Sequence, residues 1–221
     1  IPVDATNASE RIPASNNLVL NKEVEVEGTI VNGTLNATKV KDESEDIKVA
    51  ATVSDPNFSA DSFQVTPVSG QPPITVKIEK STEVDDDSDI ITNPDNVISN
   101  LSLDDYVSVE GYDDGSGTII ASEFKRESLG TGDRADVIVQ GKLENIVKDD
   151  FVQVLGVRFQ IKDDPNISAN DETDFENALD VEIEQDAFIA AAPVGTLVKI
   201  KDRDESGVLN GIADEIEIEL P

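Results

Sequence analysis

The chain has 221 residues, 47 acidic and 17 basic, giving a net charge of −30 and a pI near 4.1. Such a surface repels phosphate backbones and anionic membranes, which excludes nucleic acid as a partner and favours cations. Cys, His, Met and Trp are absent, which excludes disulfides, thiol catalysis, Cys-based zinc sites and a histidine proton shuttle.

Hydrophobic residues make up 38% and aromatics 4%, against the ~45–50% apolar content usual for globular domains. That balance argues against one large core and for several small barrels filled by Val, Ile and Leu. The longest apolar run, Ala187 to Val198, is broken by Pro193 and Gly195 and falls short of the ~18 residues a spanning helix needs. Ile1 stands where Met is usual. Signal cleavage, propeptide processing or trimming would each account for that.

Residues 1–21 are polar, with Pro2 and Pro13, and read as an extended arm ending in Leu18-Val19-Leu20. Val24-Glu25-Val26-Glu27-Gly28 then opens a hairpin around Asn32-Gly33, a strong signal for a type I′ turn. After the charged stretch 41–46, Ile47 to Val53 alternates with period two, as a half-buried strand does. Phe63-Gln64-Val65 and Ile74 to Ile78 read as the next strands. A polar excursion from Ser81 to Asn100 follows, then Tyr106 to Gly111 and Thr118 to Phe124 close the unit. Gly130-Thr131-Gly132 marks a joint.

The order then repeats. Val137 to Leu143, Phe151 to Gly156 and Val157 to Ile161 read as three strands. The excursion from Asp163 to Val194 is longer, with one or two helical turns expected over Asp171 to Leu179 and a short strand over Val181 to Glu184. Thr196 to Lys201 and Ile212 to Leu220 end the unit.

Three copies of one pattern organise the chain: Val24 to Gly28, Val107 to Gly111, and Val198-Lys199-Ile200-Lys201-Asp202. Each is followed by a turn and an Ala placed before an apolar residue, at Ala37/Val40, Ala121/Phe124 and Ala213/Ile216. Such self-similarity predicts tandem units. The expected organisation is an arm (1–21), a partial repeat holding the final hairpin (22–45), and two complete repeats (46–128 and 129–221). Three strands, an excursion and two strands match an all-β, five-stranded OB-like barrel; a meander sandwich is the second option. A lone hairpin is marginal in water, so the partial repeat needs the arm, a neighbour or another chain.

Leu103 to Gly111 and Gly117 to Phe124 resemble the closing half of a domain-of-unknown-function family of tandem small β-barrel repeats in exported bacterial proteins. Gly141-Lys142-Leu143 and Phe151-Val152-Gln153 resemble its opening half. The resemblance implies extracytoplasmic β-barrels and carries over no catalytic residues. The third copy departs from it, with Asp202 where the others have Gly.

Candidate metal ligands are carboxylates. Asp202-x-Asp204-x-Ser206-Gly207 resembles the start of a calcium loop, but the closing Glu expected about twelve residues on is replaced by Ala213. Asp85, Asp86 and Asp87 form the densest run. Asp113-Asp114-Gly115-Ser116-Gly117 reads as turn chemistry. Asn-x-Ser/Thr sequences at Asn7, Asn32, Asn36, Asn57, Asn100 and Asn166 read as turn- and strand-rich composition, and as glycan acceptors only where the source glycosylates.

The sequence therefore predicts a non-enzymatic secreted or cell-surface structural protein, with the periplasm as a second location. It would be a filament or layer subunit assembled by strand addition, with copies of itself or other surface proteins as partners. No cofactor is expected, calcium being the ion the acidic loops would suit. The alternative is a soluble extracytoplasmic binding module for cations, small ligands or oligosaccharides. A hydrolase built on paired carboxylates would need a cleft that the sequence does not single out.

Overall fold

A computed structural model describes residues 24–31, 34–42, 47–87, 90–127, 136–162, 172–203 and 209–220. The arm, the Asn32-Gly33 turn, the glycine joint and the 204–208 segment lie outside the described residues.

The protein is mostly β-structure. Strands β1 (Val24–Val31) and β2 (Thr34–Asp42) pair antiparallel with a register shift between Glu27 and Gly28. Strands β3 (Ile47–Asp55), β4 (Ser62–Val65), β5 (Ile74–Asp86), β6 (Tyr106–Asp113) and β7 (Thr118–Glu127) form a closed five-stranded barrel in the order β3-β4-β5-β7-β6-β3. All its ladders are antiparallel except β5–β7, which is parallel.

Period-two alternation puts Val49, Ala51 and Val53 inside, as expected. Phe63 meets Phe124 edge to face at 5.9 Å in the barrel centre, the arrangement ring quadrupoles favour. Between β5 and β6 a 3-10 turn (Pro94–Asn96) leads into helix α1 (Val97–Asn100), which buries Val97. The polar excursion expected from Ser81 begins later than the sequence suggested. Strand β5 runs on to Asp86 because Thr82 and Asp86 face inward and residues 83–86 pair with β7.

Strands β8 (Val137–Val147), β9 (Phe151–Val154) and β10 (Val157–Gln160) continue the chain. They are followed by β11 (Asp174–Glu176), helix α2 (Gln185–Ala191), β12 (Leu197–Asp202) and β13 (Glu215–Ile218). β8 pairs with β9 and β12, β9 with β10, and β12 with β13. A parallel bridge from Gln160 to Ile212 links β10 to the approach of β13. The helical turns expected over Asp171 to Leu179 are instead strand β11, held parallel to β13 with Phe175 inward against Phe188 of α2. The strand expected over 181–184 reduces to one bridge, Glu176 to Glu182.

A buried threonine occupies matching places in both halves. Thr82 Oγ1 donates to the Ala121 carbonyl (2.8 Å) and accepts from the Glu79 amide. Thr173 Oγ1 donates to the Ala213 carbonyl (2.6 Å) and accepts from the Lys162 amide.

The halves join through an antiparallel ladder of β3 with β8: Lys48 opposite Gln140, Val49 opposite Val139, Ala50 opposite Ile138. Ala50 is consequently buried although it lies on the strand's outer face. Beside the ladder, Tyr106 Oη donates to the Asp136 carbonyl at 2.6 Å. Val68 closes over Gly211, where an added Cβ would lie 2.7 Å from Val68 Cγ1.

Candidate functional site

The carboxylates that the sequence singles out fall into three environments. At the end of β5, alternation turns Asp86 inward and leaves Asp85 and Asp87 exposed. Both Asp86 oxygens are engaged. Arg126 Nε donates to Oδ1 and its terminal NH2 nitrogen to Oδ2, each at 2.9 Å, while the Ile90 and Ile91 amides donate to Oδ2 at 2.9 and 2.7 Å. Arg126 also donates to the Asn100 carbonyl at 3.0 Å and lies 3.4 Å from Asp105. The hydrogen bond to Asp86 raises the guanidinium's pKa against the opposing effect of burial. This planar, two-pronged pairing fastens the excursion to β7. The three aspartates therefore do not converge on one point.

At the β6–β7 turn, Asp113 Oδ1 accepts from the Gly115 and Gly117 amides. Asp114 Oδ1 accepts from both the Ser116 amide and its hydroxyl at 2.7 Å. The Ser116 hydroxyl, ahead of its amide, holds the Asp114 carboxyl below the usual range. Gly115 and Gly117 supply the left-handed backbone (φ +87 for each). The turn satisfies its own acids, as the sequence suggested.

Asp202 differs. It ends β12 on the inward face, 1% exposed. In β6 the corresponding Gly111 lies in a register shift so close to the partner strand that a Cβ would sit 2.1 Å from the Ile120 carbonyl. With Asp there, pairing between β12 and β13 stops at Lys201–Glu215. The chain then returns through Gly211, whose amide donates to Asp202 Oδ2 at 2.8 Å. Oδ1 has no hydrogen-bond partner among the described residues. Burial pushes the Asp202 pKa up to about 6; Asp214 and Asp136 add to that, while the Gly211 and Asn210 amides oppose it. Asp204, Ser206 and Gly207 lie outside the described residues.

One cluster was not singled out from the sequence. Oxygens of Glu176, Glu215 and Glu217 lie within 4.8 Å of one another. The last two also face the cations of β12: Lys199 sits 2.5 Å from Glu217, and Lys201 and Arg203 both bond Glu215. Burial raises Glu217, with Asp180 adding to it and Lys199 opposing. The signal was present in the alternating runs Lys199-x-Lys201-x-Arg203 and Glu215-x-Glu217-x-Glu219, which neighbouring antiparallel strands turn into cross-strand ion pairs.

Between β11 and α2 opens a cleft of about 410 Å³, lined by the carboxylates Glu172, Asp174, Glu182 and Glu184 and by no basic side chain. Of the Asn-x-Ser/Thr positions, Asn36 and Asn57 are exposed and Asn100 is half-buried, its amide donating to the Asn96 carbonyl. Asn7, Asn32 and Asn166 lie outside the described residues.

The β3–β7 barrel has a counterpart among known families. Residues 51–125 match DUF5666, a domain of unknown function. The DUF5666 match runs from within β3 to within β7 and takes in the strands that close that barrel. No curated protein and no solved structure matches the chain. Among the described residues no helix is long and apolar enough to cross a membrane.

Proposed function

We propose that this chain is a non-enzymatic, secreted or cell-surface structural protein. It would be built of tandem small β-barrels (46–128 and 129–221) with a partial repeat at 22–45, and assembled into an extracellular filament or layer by strand addition. The observation that carries this reading is the register of the β1–β2 hairpin. Gly28 sits opposite Ala37 just after a register shift at Glu27/Gly28, and Val26 sits opposite Val40. In β6–β7, Gly111 sits opposite Ala121 just after a shift at Glu110/Gly111, and Val109 sits opposite Phe124. The shared register supports reading the hairpin as a barrel's closing pair.

In the barrel, such a pair takes an antiparallel strand on one edge (β3 on β6) and a parallel strand on the other (β5 on β7). The partial repeat has strand partners for neither edge among the described residues. Exposed edges recruit strands. The paired threonines, Thr82 and Thr173, support the reading of the two complete units as repeats.

Negative-stain electron microscopy of the full chain and of a variant lacking residues 22–45 tests this. Regular filaments or sheets from the full chain and dispersed particles from the deletion are the expected result. Equal assembly of both, or of neither at any concentration, would refute strand addition at the hairpin.

The β11–α2 cleft favours a second reading, a soluble extracytoplasmic module for cationic ligands. Calcium- or polyamine-dependent thermal stabilisation that persists in high salt would support it over simple screening.

A further inference from the structure

We propose that the Asn210-Gly211 peptide is a self-modifying site, at which Asp202 acts as general base for closure of Asn210 onto the Gly211 nitrogen. The nucleophile, base and electrophile of that reaction are assembled. The Gly211 amide, whose nitrogen would attack, donates its proton to Asp202 Oδ2 at 2.8 Å. Asp202 is buried, and its second oxygen has no partner among the described residues. The electrophile is the side-chain carbonyl of Asn210. Its Oδ1 accepts from the Ile212 amide at 2.8 Å, an Asx turn that spans the Gly211 residue and places a donor where negative charge develops. Gly211 has no Cβ to crowd the attack and holds a left-handed backbone (φ +73). Asn210 itself is exposed, so ammonia can leave and water can enter.

Asp202 takes the Gly211 amide proton, and the nitrogen forms a bond to Asn210 Cγ. Oδ1 carries the negative charge beside the Ile212 amide. The bond from Cγ to Nδ2 then breaks, Asp202 returns the proton to the departing nitrogen, and ammonia leaves a succinimide. Water opens the ring at either carbonyl, giving aspartate or isoaspartate at position 210. The product sets a new carboxylate close to Asp202, where like charge disfavours ionisation. The isoaspartate form also lengthens the backbone directly beneath Val68, at the junction of the two halves.

The sequence supplies an internal reference, because Asn32-Gly33 is the other Asn-Gly pair. The full chain is aged at neutral pH, and both sites are followed by peptide mass mapping, in native buffer and in urea. Asn210 is expected to convert faster than Asn32 in the folded chain, and to lose that lead in urea, which disperses the base. Asp202→Asn is expected to slow Asn210 on the order of a hundredfold, the usual size of general-base catalysis, while leaving Asn32 unchanged. A folded-chain rate at Asn210 no greater than at Asn32 would overturn the proposal. So would a folded Asp202→Asn variant that converts as fast as the parent. If that variant fails to fold, the comparison of native with urea-treated parent decides: a lead for Asn210 that persists in urea assigns the reactivity to local sequence and overturns the role of Asp202.

Discussion

Replacing Asp202 by Asn should abolish, at this site, the gain in stability that mild acid gives the parent. The folded pKa is about 6 against an ordinary 3.8, a difference of about 2 units, or roughly 3 kcal/mol at about 1.36 kcal/mol per unit. Below about pH 4 both folded and unfolded chains hold the proton, and Asp202 costs nothing through ionisation. Between about pH 4 and 6 only the folded state holds it, so stability falls as pH rises. Above about pH 6 both states are ionised, and the cost stays at its full value. An amide at position 202 carries no such cost. Asp202→Asn should therefore be more stable than the parent by up to about 3 kcal/mol at pH 7. Weakening of the bond from the Gly211 amide offsets that gain by about 1 kcal/mol. The advantage should disappear by about pH 4. Urea unfolding of both proteins across that range gives the difference directly, and the other carboxylates cancel between them. A difference that does not change with pH would refute the reasoning. A parent that gains on the variant as pH rises would show the ionised carboxylate to be stabilised, by a bound cation for example.

Three further outcomes are expected. Asp86→Asn removes the two-pronged carboxylate from half-buried Arg126, leaving it the Asn100 carbonyl and the longer contact with Asp105, and should cost about 3 kcal/mol in denaturant melts, whereas the exposed Asp85→Asn should stay within about 0.5 kcal/mol. Gly111→Ala, whose Cβ would overlap the Ile120 carbonyl, should lose about 3 kcal/mol and lower the thermal midpoint. Burial, aided by Glu127 and Asp136, pushes the Tyr106 phenol up to about 12, so ultraviolet titration should show one of the two tyrosines staying protonated beyond the usual ~10; ordinary titration of both would contradict its placement at the junction.

Local patterning made much of the β-structure legible. Alternation in Ile47 to Val53 and in Val137 to Leu143 places the strand faces, because burial on one side of a strand leaves a period of two. Phe63, Phe151 and Phe159 read as core from their strand positions; Phe63 and Phe159 are buried, whereas Phe151 is half-buried with the Arg158 guanidinium over its ring. What failed was set by long-range partners. Residues 174–176 have no local reason to be a strand; β13 recruits them and Phe175 anchors them against Phe188. Asp86 reads as one of three equivalent aspartates until Arg126, forty residues away, selects it. The departure at Asp202 was visible in the sequence, but its burial was not. Burial follows from the path back through Gly211, which sits against Val68 of the other half.

The ladder joining β3 to β8 has its own arithmetic. It is centred on Val49 opposite Val139, with the flanking pairs one residue away on either side. Residues 48–50 of β3 already pair with β6 along their other edge, and residues 138–140 of β8 with β12. Both strands therefore have neighbours on both sides at this place, and their backbone groups offer nothing to a further strand. Any longer array of this chain must grow through other edges.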